Sequence, residues 1–208
     1  MMAKVVHFYF NRDSNYEIAG FTVDKRFNNQ GAMCGLDVFD FESLEETHPP
    51  SDHELFIAIG PSKMNAVREQ KFHEAKAKGY RLASYISPHA ICASPVGENS
   101  FVSDMAVITP FSNIGDNNFF YEGVVVSNDA SIGNNCYFSP QSYVGTFCRV
   151  MDNAILGTGS ILKSSVTVAR KTLVGASAYI SRDTKENGVY GERNAEFFGC
   201  ISGKIDIS

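Results

Sequence analysis

No two cysteines in the chain stand at CxxC spacing, so Cys34, Cys92, Cys136, Cys148 and Cys200 read as buried thiols rather than as a zinc site or a disulfide framework. No apolar run is long enough to suggest a membrane span, and the opening MMAKVVHFYFNRDSNYEI matches neither a secretory signal nor a transit peptide, so a cytoplasmic location is expected. Positive charge is not in excess. The 18 Lys and Arg against 23 Asp and Glu leave a net charge of −5, which argues against a nucleic-acid partner while leaving room for a basic patch around a phosphate. Histidine is confined: His7, His48, His53, His73 and His89 all precede residue 90.

What is present is a beat of six. At 208 residues and 44% hydrophobic, the chain has enough apolar material for one large domain or two modest ones, and much of it is metrically arranged. An apolar residue returns at every sixth position from Val96 through Val102, Ile108, Ile114, Phe120, Val126, Ile132, Phe138, Val144, Val150, Leu156, Leu162, Val168 and Val174 to Ile180. Two residues after each comes a polar, turn-forming or small residue, and four after most of them a small one, such as Ala106, Ala130, Ser142, Ala154 or Ser160. A helix needs a period near 3.6 and a two-sided strand a period of 2; a period of six suits a short strand plus a corner, coiling around an axis.

A second period gives three sides per turn. Asn99, Asn117, Asn135 and Asn153 recur every 18 residues, at corners where Asn tolerates left-handed backbone angles. The run from 96 to 180 then makes nearly five coils whose inward aliphatic rows build one shared core, with Cys136 and Cys148 on inward packing positions.

The first part of the chain has a different texture. YEIAGFTVD (16–24) and ELFIAIG (54–60) are expected as strands, and residues 3–10 have strand composition. SKMNAVREQKFHEAKAKG (62–79) is expected as a helix, with Ser62 as N-cap, Met64, Val67, Phe72 and Ala75 on one side and Gly79 as the stop; YRLASYI then leads back as a strand.

The fifteen-fold hexapeptide beat resembles the hexapeptide-repeat acyltransferase superfamily, whose repeats form a left-handed parallel β-helix. With the junction AIGPSKMNAVREQKFHEAKAKGYRLASYISPHA and the tail ISRDTKENGVYGERNAE, the whole chain is similar to sugar O- or N-acyltransferases, of the sialic acid O-acetyltransferase and nucleotide-aminosugar N-acetyltransferase type. The resemblance implies a small α/β nucleotide-sugar-binding-like domain at 1–86, a left-handed β-helix at 87–185 and a closing segment at 186–208. In this family residues 3–10 would correspond to the first helix, and the Gly-rich phosphate-binding turn before it is missing. The remaining phosphate candidates are the turn from Gly60 to Lys63, with Asn65 and Arg68, weighed against an ordinary solvated basic helix start.

The resemblance also implies acetyl-CoA as co-substrate, a nucleotide-linked aminosugar for surface glycan synthesis as acceptor, and a homotrimer with sites between prisms. The family's usual histidine base would stand in VVVSNDASIG, where this chain has Asn128 and Asp129, or in the next coil, where it has Gln141. With no histidine in the regular hexapeptides, all five lying before Val96, a zinc site of the γ-class carbonic anhydrase kind is excluded as well. Three explanations stay open: an amine attacks the thioester without strong base help, Asp129 orients or deprotonates it, or a non-catalytic trimeric scaffold has kept the fold without the chemistry. Losing a general base costs about 10²–10⁴-fold, more damaging for a hydroxyl than for an amine, so N-acylation is preferred to sugar O-acetylation. No Lys or Arg falls between Leu82 and Cys148, whereas Arg149, Lys163, Arg170, Lys171, Arg182 and Lys185 follow, which suits CoA phosphates on the late coils. Gly157, Gly159, Gly175 and Ala176 are the expected pantetheine contacts.

Overall fold

The computed structural model describes residues 2–29 and 31–191; Cys200 and the 192–208 part of the closing segment lie outside them. From Tyr85 to Tyr190 the chain runs as two-residue strands separated by corners, stacked in three parallel sheets of seven, six and four strands. The sheets are the three walls of a prism. Along one wall Phe101, Phe119, Tyr137, Ile155 and Leu173 are successive register partners, so the 18-residue period seen in the asparagines is the sheet register itself.

The inward row is the expected one. Val102, Ile108, Phe120, Val126, Phe138, Val144, Leu156, Leu162, Val168 and Val174 are wholly buried, and the stacked Phe120 and Phe138 rings lie 4.7 Å apart at 11°. The small residues at the fourth position, Ala106, Ala130, Cys136, Ser142, Cys148, Ala154 and Ser160, are buried at the tight inner bends. Burial pushes the Cys136 thiol up to about 12, which keeps it protonated and inert, as a packing residue should be. The expectation of buried thiols holds for Cys136 and Cys148 but not for Cys34, which is exposed outside the prism, or for Cys92, which is half-buried in the first coil. The prism extends beyond the regular beat at both ends. Tyr85–Ile86 pairs with Phe101–Val102 and Val189–Tyr190 with Leu173–Val174, each step two residues short of the period and therefore invisible to a six-residue template.

Stacking the coils also stacks their corners into three edges. The first edge carries 98–99, 116–117, 134–135 and 152–153; the second carries 104–105, 122–123, 140–141, 158–159 and 176–177; the third carries 110–111, 128–129, 146–147 and 164–165. On the first edge Asn99, Asn117, Asn135 and Asn153 have φ of 54°, 60°, 61° and 62°, as their spacing predicts. They are also buried and joined: the Asn99 amide donates to Asn117 Oδ1 and that of Asn117 to Asn135 Oδ1, both at 2.7 Å.

What buries them is the N-terminal unit. Residues 3–10 belong to helix α1 (Met2–Asp13) and not to a strand, because Val6, Tyr9 and Phe10 lie at helical spacing and close over an aromatic row on the seven-stranded wall. That row consists of Tyr85, Phe101, Phe119 and Tyr137, with ring centroids 5.3, 5.7 and 6.2 Å apart in turn. The expected strands are short: Phe21–Val23 pairs in parallel with Leu36–Asp40, and Glu54–Leu55 in parallel with Arg81–Leu82. After the one-turn helix α2 (Leu44–Thr47), helix α3 spans Ala66–Ala77. Ser62 is not its N-cap. Lys63, Met64 and Asn65 all take positive φ, delaying the helix to Ala66, whereas Gly79, at φ 91°, follows its end as expected.

Replacing Asn117 by Ala would remove both rungs of the ladder and leave an alanine at φ 60°. Equilibrium urea unfolding should show a loss of about 3 kcal/mol. Lys171→Ala, at an exposed corner with φ 52° and no such ladder, should change stability by only a few tenths of that.

Candidate active site

The second edge collects most of the residues singled out on the prism. Gln141 sits there, its N–H donating to the Glu122 carbonyl below at 2.9 Å, and the Gly159 N–H donates to the Pro140 carbonyl from above at 3.0 Å. Ala176 lies one coil further along the same edge, where Ser177 bonds Thr158, and Gly157 and Gly175 lead into the corners at Thr158 and Ala176. A Cβ on Gly157 would approach the Ala176 nitrogen to 2.5 Å, so the close stacking of these coils demands glycine there. Gly159, at φ 65°, meets only Ser177 Oγ at 3.7 Å, which leaves the edge smooth and open. Thr158 and Ala176 are exposed residues, and among the described residues no acceptor takes the N–H of either. A smooth edge with free amide donors suits an extended amide-bearing chain such as pantetheine.

Asn128 and Asp129 are elsewhere. They are exposed on the third edge, where the Phe147 N–H reaches the Asn128 carbonyl, and within one chain they are separated from Gln141 by a wall of the prism. Gly60 is half-buried and Lys63 exposed, on the approach to α3. Asn65 and Arg68 are a correction. Both are wholly buried, Asn65 reaching the carbonyls of Asn153 and Ala154, and Arg68 those of Ile59, Asn117, Asn135 and Cys136. The guanidinium also takes Asn65 Oδ1 at 2.9 Å and lies 4.7 Å over the Phe119 ring. Burial pulls its pKa down to about 10. These two side chains pin α3 to the first edge and face no solvent in which a phosphate could meet them.

A polar cluster that sequence reasoning did not single out lies where α1 crosses the second edge. Tyr9 Oη donates to Glu122 Oε1 at 3.0 Å, and Ser103 Oγ is 2.9 Å from the same oxygen and 3.1 Å from the phenol. Burial raises the Tyr9 pKa, with the Glu122 carboxylate adding to it, so the phenol remains a donor. Beside it Arg12 forks onto Asp104, with Nη1 to Oδ2 at 2.9 Å and Nη2 to Oδ1 at 2.7 Å, and its Nε meets Asp13 Oδ2 at 2.5 Å. Ser87 donates to Asp104 as well, and Tyr85 to Asp13. The signal for this cluster in the sequence was only the run of acids in the early coils, because Tyr9 and Arg12 stand in a segment of strand composition far away along the chain.

Fold and edge together define a hexapeptide-repeat protein built as the sugar acyltransferases are, with a small α/β unit before a left-handed parallel β-helix. No family model matches the chain, and no curated protein does. Solved structures do. The chain is similar to the perosamine N-acetyltransferase of Caulobacter crescentus, solved as a single-site variant with CoA and GDP-perosamine, at 28% identity over 94% of this chain and 91% of that one, with a TM-score of 0.82. The acetyltransferase domain of PglB from Neisseria gonorrhoeae shares the fold at 24% identity over 94% of each chain (TM-score 0.74), and WeeI from Acinetobacter baumannii at 20% over 90% of each (TM-score 0.76).

The pairing with Arg12 first, then the Ser87 hydroxyl, holds the Asp104 carboxyl at about 2, below its ordinary 3.8. A depressed carboxylate stabilises the folded state above its ordinary pKa and loses that contribution as pH falls toward its folded value. Thermal melts should therefore show wild type more stable than Asp104→Asn at neutral pH, with the gap closing between about pH 4 and pH 2.

Proposed function

We propose that this protein is an acetyl-CoA-dependent N-acetyltransferase acting on an amino group of a nucleotide-linked sugar, without a histidine base, as a cytoplasmic homotrimer. The observation that carries the reading is the likeness, over nearly the whole chain, to a perosamine N-acetyltransferase that holds CoA and GDP-perosamine. The second edge supports it from this chain's own residues: Gly157, Gly159, Gly175 and Ala176 form the smooth track along which pantetheine would lie, ending at Gln141. Gly60 and Lys63 remain the contacts offered to the sugar nucleotide.

The chemistry asks little of the protein. A neutral amine attacks a thioester carbonyl readily once the two are held in line, so positioning supplies much of the rate. A hydroxyl nucleophile would need the proton removed during attack, and no histidine stands on the regular coils from Val96 to Ile180 to remove it; His89 lies in the first corner of the prism, its carbonyl accepting the Met105 N–H at 3.1 Å. The trimer reading is supported by the outer surface of the six-stranded wall, whose register row is Ile91, Val107, Val125, Tyr143, Ile161 and Tyr179. Ile91 and Tyr179 are 64% and 62% exposed, a continuous apolar face for one chain in water. A neighbour packed there would let Asn128 and Asp129 of one protomer approach the second edge of another.

Incubating the protein with acetyl-CoA and a panel of nucleotide-linked aminosugars should release thiol in proportion to N-acetylated product. Absence of release together with absence of CoA binding by calorimetry would favour a scaffold instead. Asp129→Ala should lower kcat/KM by roughly ten- to hundredfold, the value of one hydrogen bond to a charged group, and unchanged rates in both Asp129→Ala and Asn128→Ala would move the chemistry off the third edge. Sedimentation equilibrium should return three times the 22.8 kDa of one chain.

A further inference from the structure

The geometry points to Glu122 as the carboxylate that receives the reacting amino group, an assignment that rests on the function proposed above. Position is the first argument. Glu122 occupies the second edge one coil below Gln141, on the column that ends in Gly159 and Ala176. Coils stack about 4.8 Å apart, so a thioester carried down that column to Gln141 comes within one rung of the carboxylate. Glu122 is also where the prism meets the N-terminal unit, through Tyr9. An acceptor sugar whose nucleotide is held by that unit would reach the edge at this rung.

Charge is the second argument. The neighbouring acids Asp104 and Asp13 are both taken up by Arg12. Among the described residues no Lys, Arg or His pairs with Glu122, which makes it the uncompensated carboxylate of the cluster. Orientation is the third. Oε1 is fixed by Tyr9 and Ser103, while Oε2 takes no hydrogen bond from the described residues. Next to it Gly123, at φ 68°, presents no side chain, and only Gln141 Cγ comes within 4 Å of where a Cβ would stand. A half-buried carboxylate with one oxygen held and the other free, beside a corner that carries no side chain at Gly123, suits a small cation or a hydrogen-bond donor.

The step this supports is balanced without any further reagent. The neutral amine donates one N–H to Oε2 and attacks the acetyl carbonyl; the C–N bond forms, and the carbonyl electrons move to oxygen, leaving nitrogen positive. The carboxylate stabilises that charge and takes one proton from nitrogen. The carbonyl then reforms, the C–S bond breaks, and the departing CoA thiolate is protonated by the Glu122 carboxylic acid. Tyr9 and Ser103 act as positioning residues, since they hold the oxygen that does not meet substrate.

The test uses purified full-length protein, acetyl-CoA and the aminosugar nucleotide it acetylates best. Glu122→Gln, which keeps the shape and removes the charge, should lower kcat about 10²-fold with the KM for acetyl-CoA unchanged. Glu122→Asp should recover part of that loss, and Tyr9→Phe should lower kcat less than Glu122→Gln does. In calorimetry, wild type should bind the amino form of the sugar nucleotide more tightly than its N-acetylated product, and Glu122→Gln should lose that preference. A contact that merely docks α1 would change melting temperature without changing this discrimination. Wild-type rates in Glu122→Gln, or an intact preference for the amine, would overturn the assignment while leaving the transferase reading in place. A wild-type protein that acetylates no amine would overturn both.

Discussion

The molecule depends on a register that cannot slip. Each coil places its next strand 18 residues on, directly beside the last, and the inward residue of each strand lands on the one below. A shift of one residue would turn the whole inward row out to water. Because the walls are parallel and the corners recur in register, any residue type placed at one corner becomes a column. The first edge uses this for structure and the second for access.

On the first edge the column is asparagine, and it is the seam of the protein. The side chains pass hydrogen bonds from coil to coil, and the N-terminal unit completes them: the Ile57 N–H donates to Asn99 Oδ1 at 2.6 Å, and the Asn153 amide reaches Glu69 Oε2 at 2.9 Å. Arg68 closes the middle by giving its guanidinium to main-chain carbonyls of consecutive coils. A buried cation with no carboxylate partner among the described residues is tolerable because carbonyl dipoles and the Phe119 ring stand where water would be. The N-terminal unit is thereby fixed against the prism at one edge by polar contacts and along the adjoining wall by aromatic ones, which sets what it can present at the next edge.

On the second edge the column changes character along its length. It starts among the acids and aromatic groups around α1, passes Gln141, and ends in glycines, alanine and free amide donors. Under the proposed function that gradient would put the acceptor side near the N-terminal unit and the donor side on the late coils. The proposed histidine-free transfer fits such an edge, because an amine needs its developing positive charge stabilised more than it needs a strong base.

The amino-acid sequence by itself determined the prism: the beat of six, the return at 18, the inward row, the inward packing of Cys136 and Cys148 and the left-handed asparagine corners follow from local spacing, and all describe residues that meet their neighbours one coil away. It could not show the roles of Arg68 and Asn65, whose polar side chains read as solvent-facing until the wall they press against is in place. Nor could composition show that residues 3–10 form a helix, which only the family resemblance indicated, since their strand-like composition is overruled by packing against an aromatic row whose members are spread from Tyr85 to Tyr137. The cluster of Tyr9, Ser103 and Glu122 is likewise a product of tertiary structure alone. Its members are separated by up to 113 residues along the chain, and nothing periodic links them. Repetition is legible because a repeat carries its partners in its own spacing; a site made where two unlike units meet carries no such record.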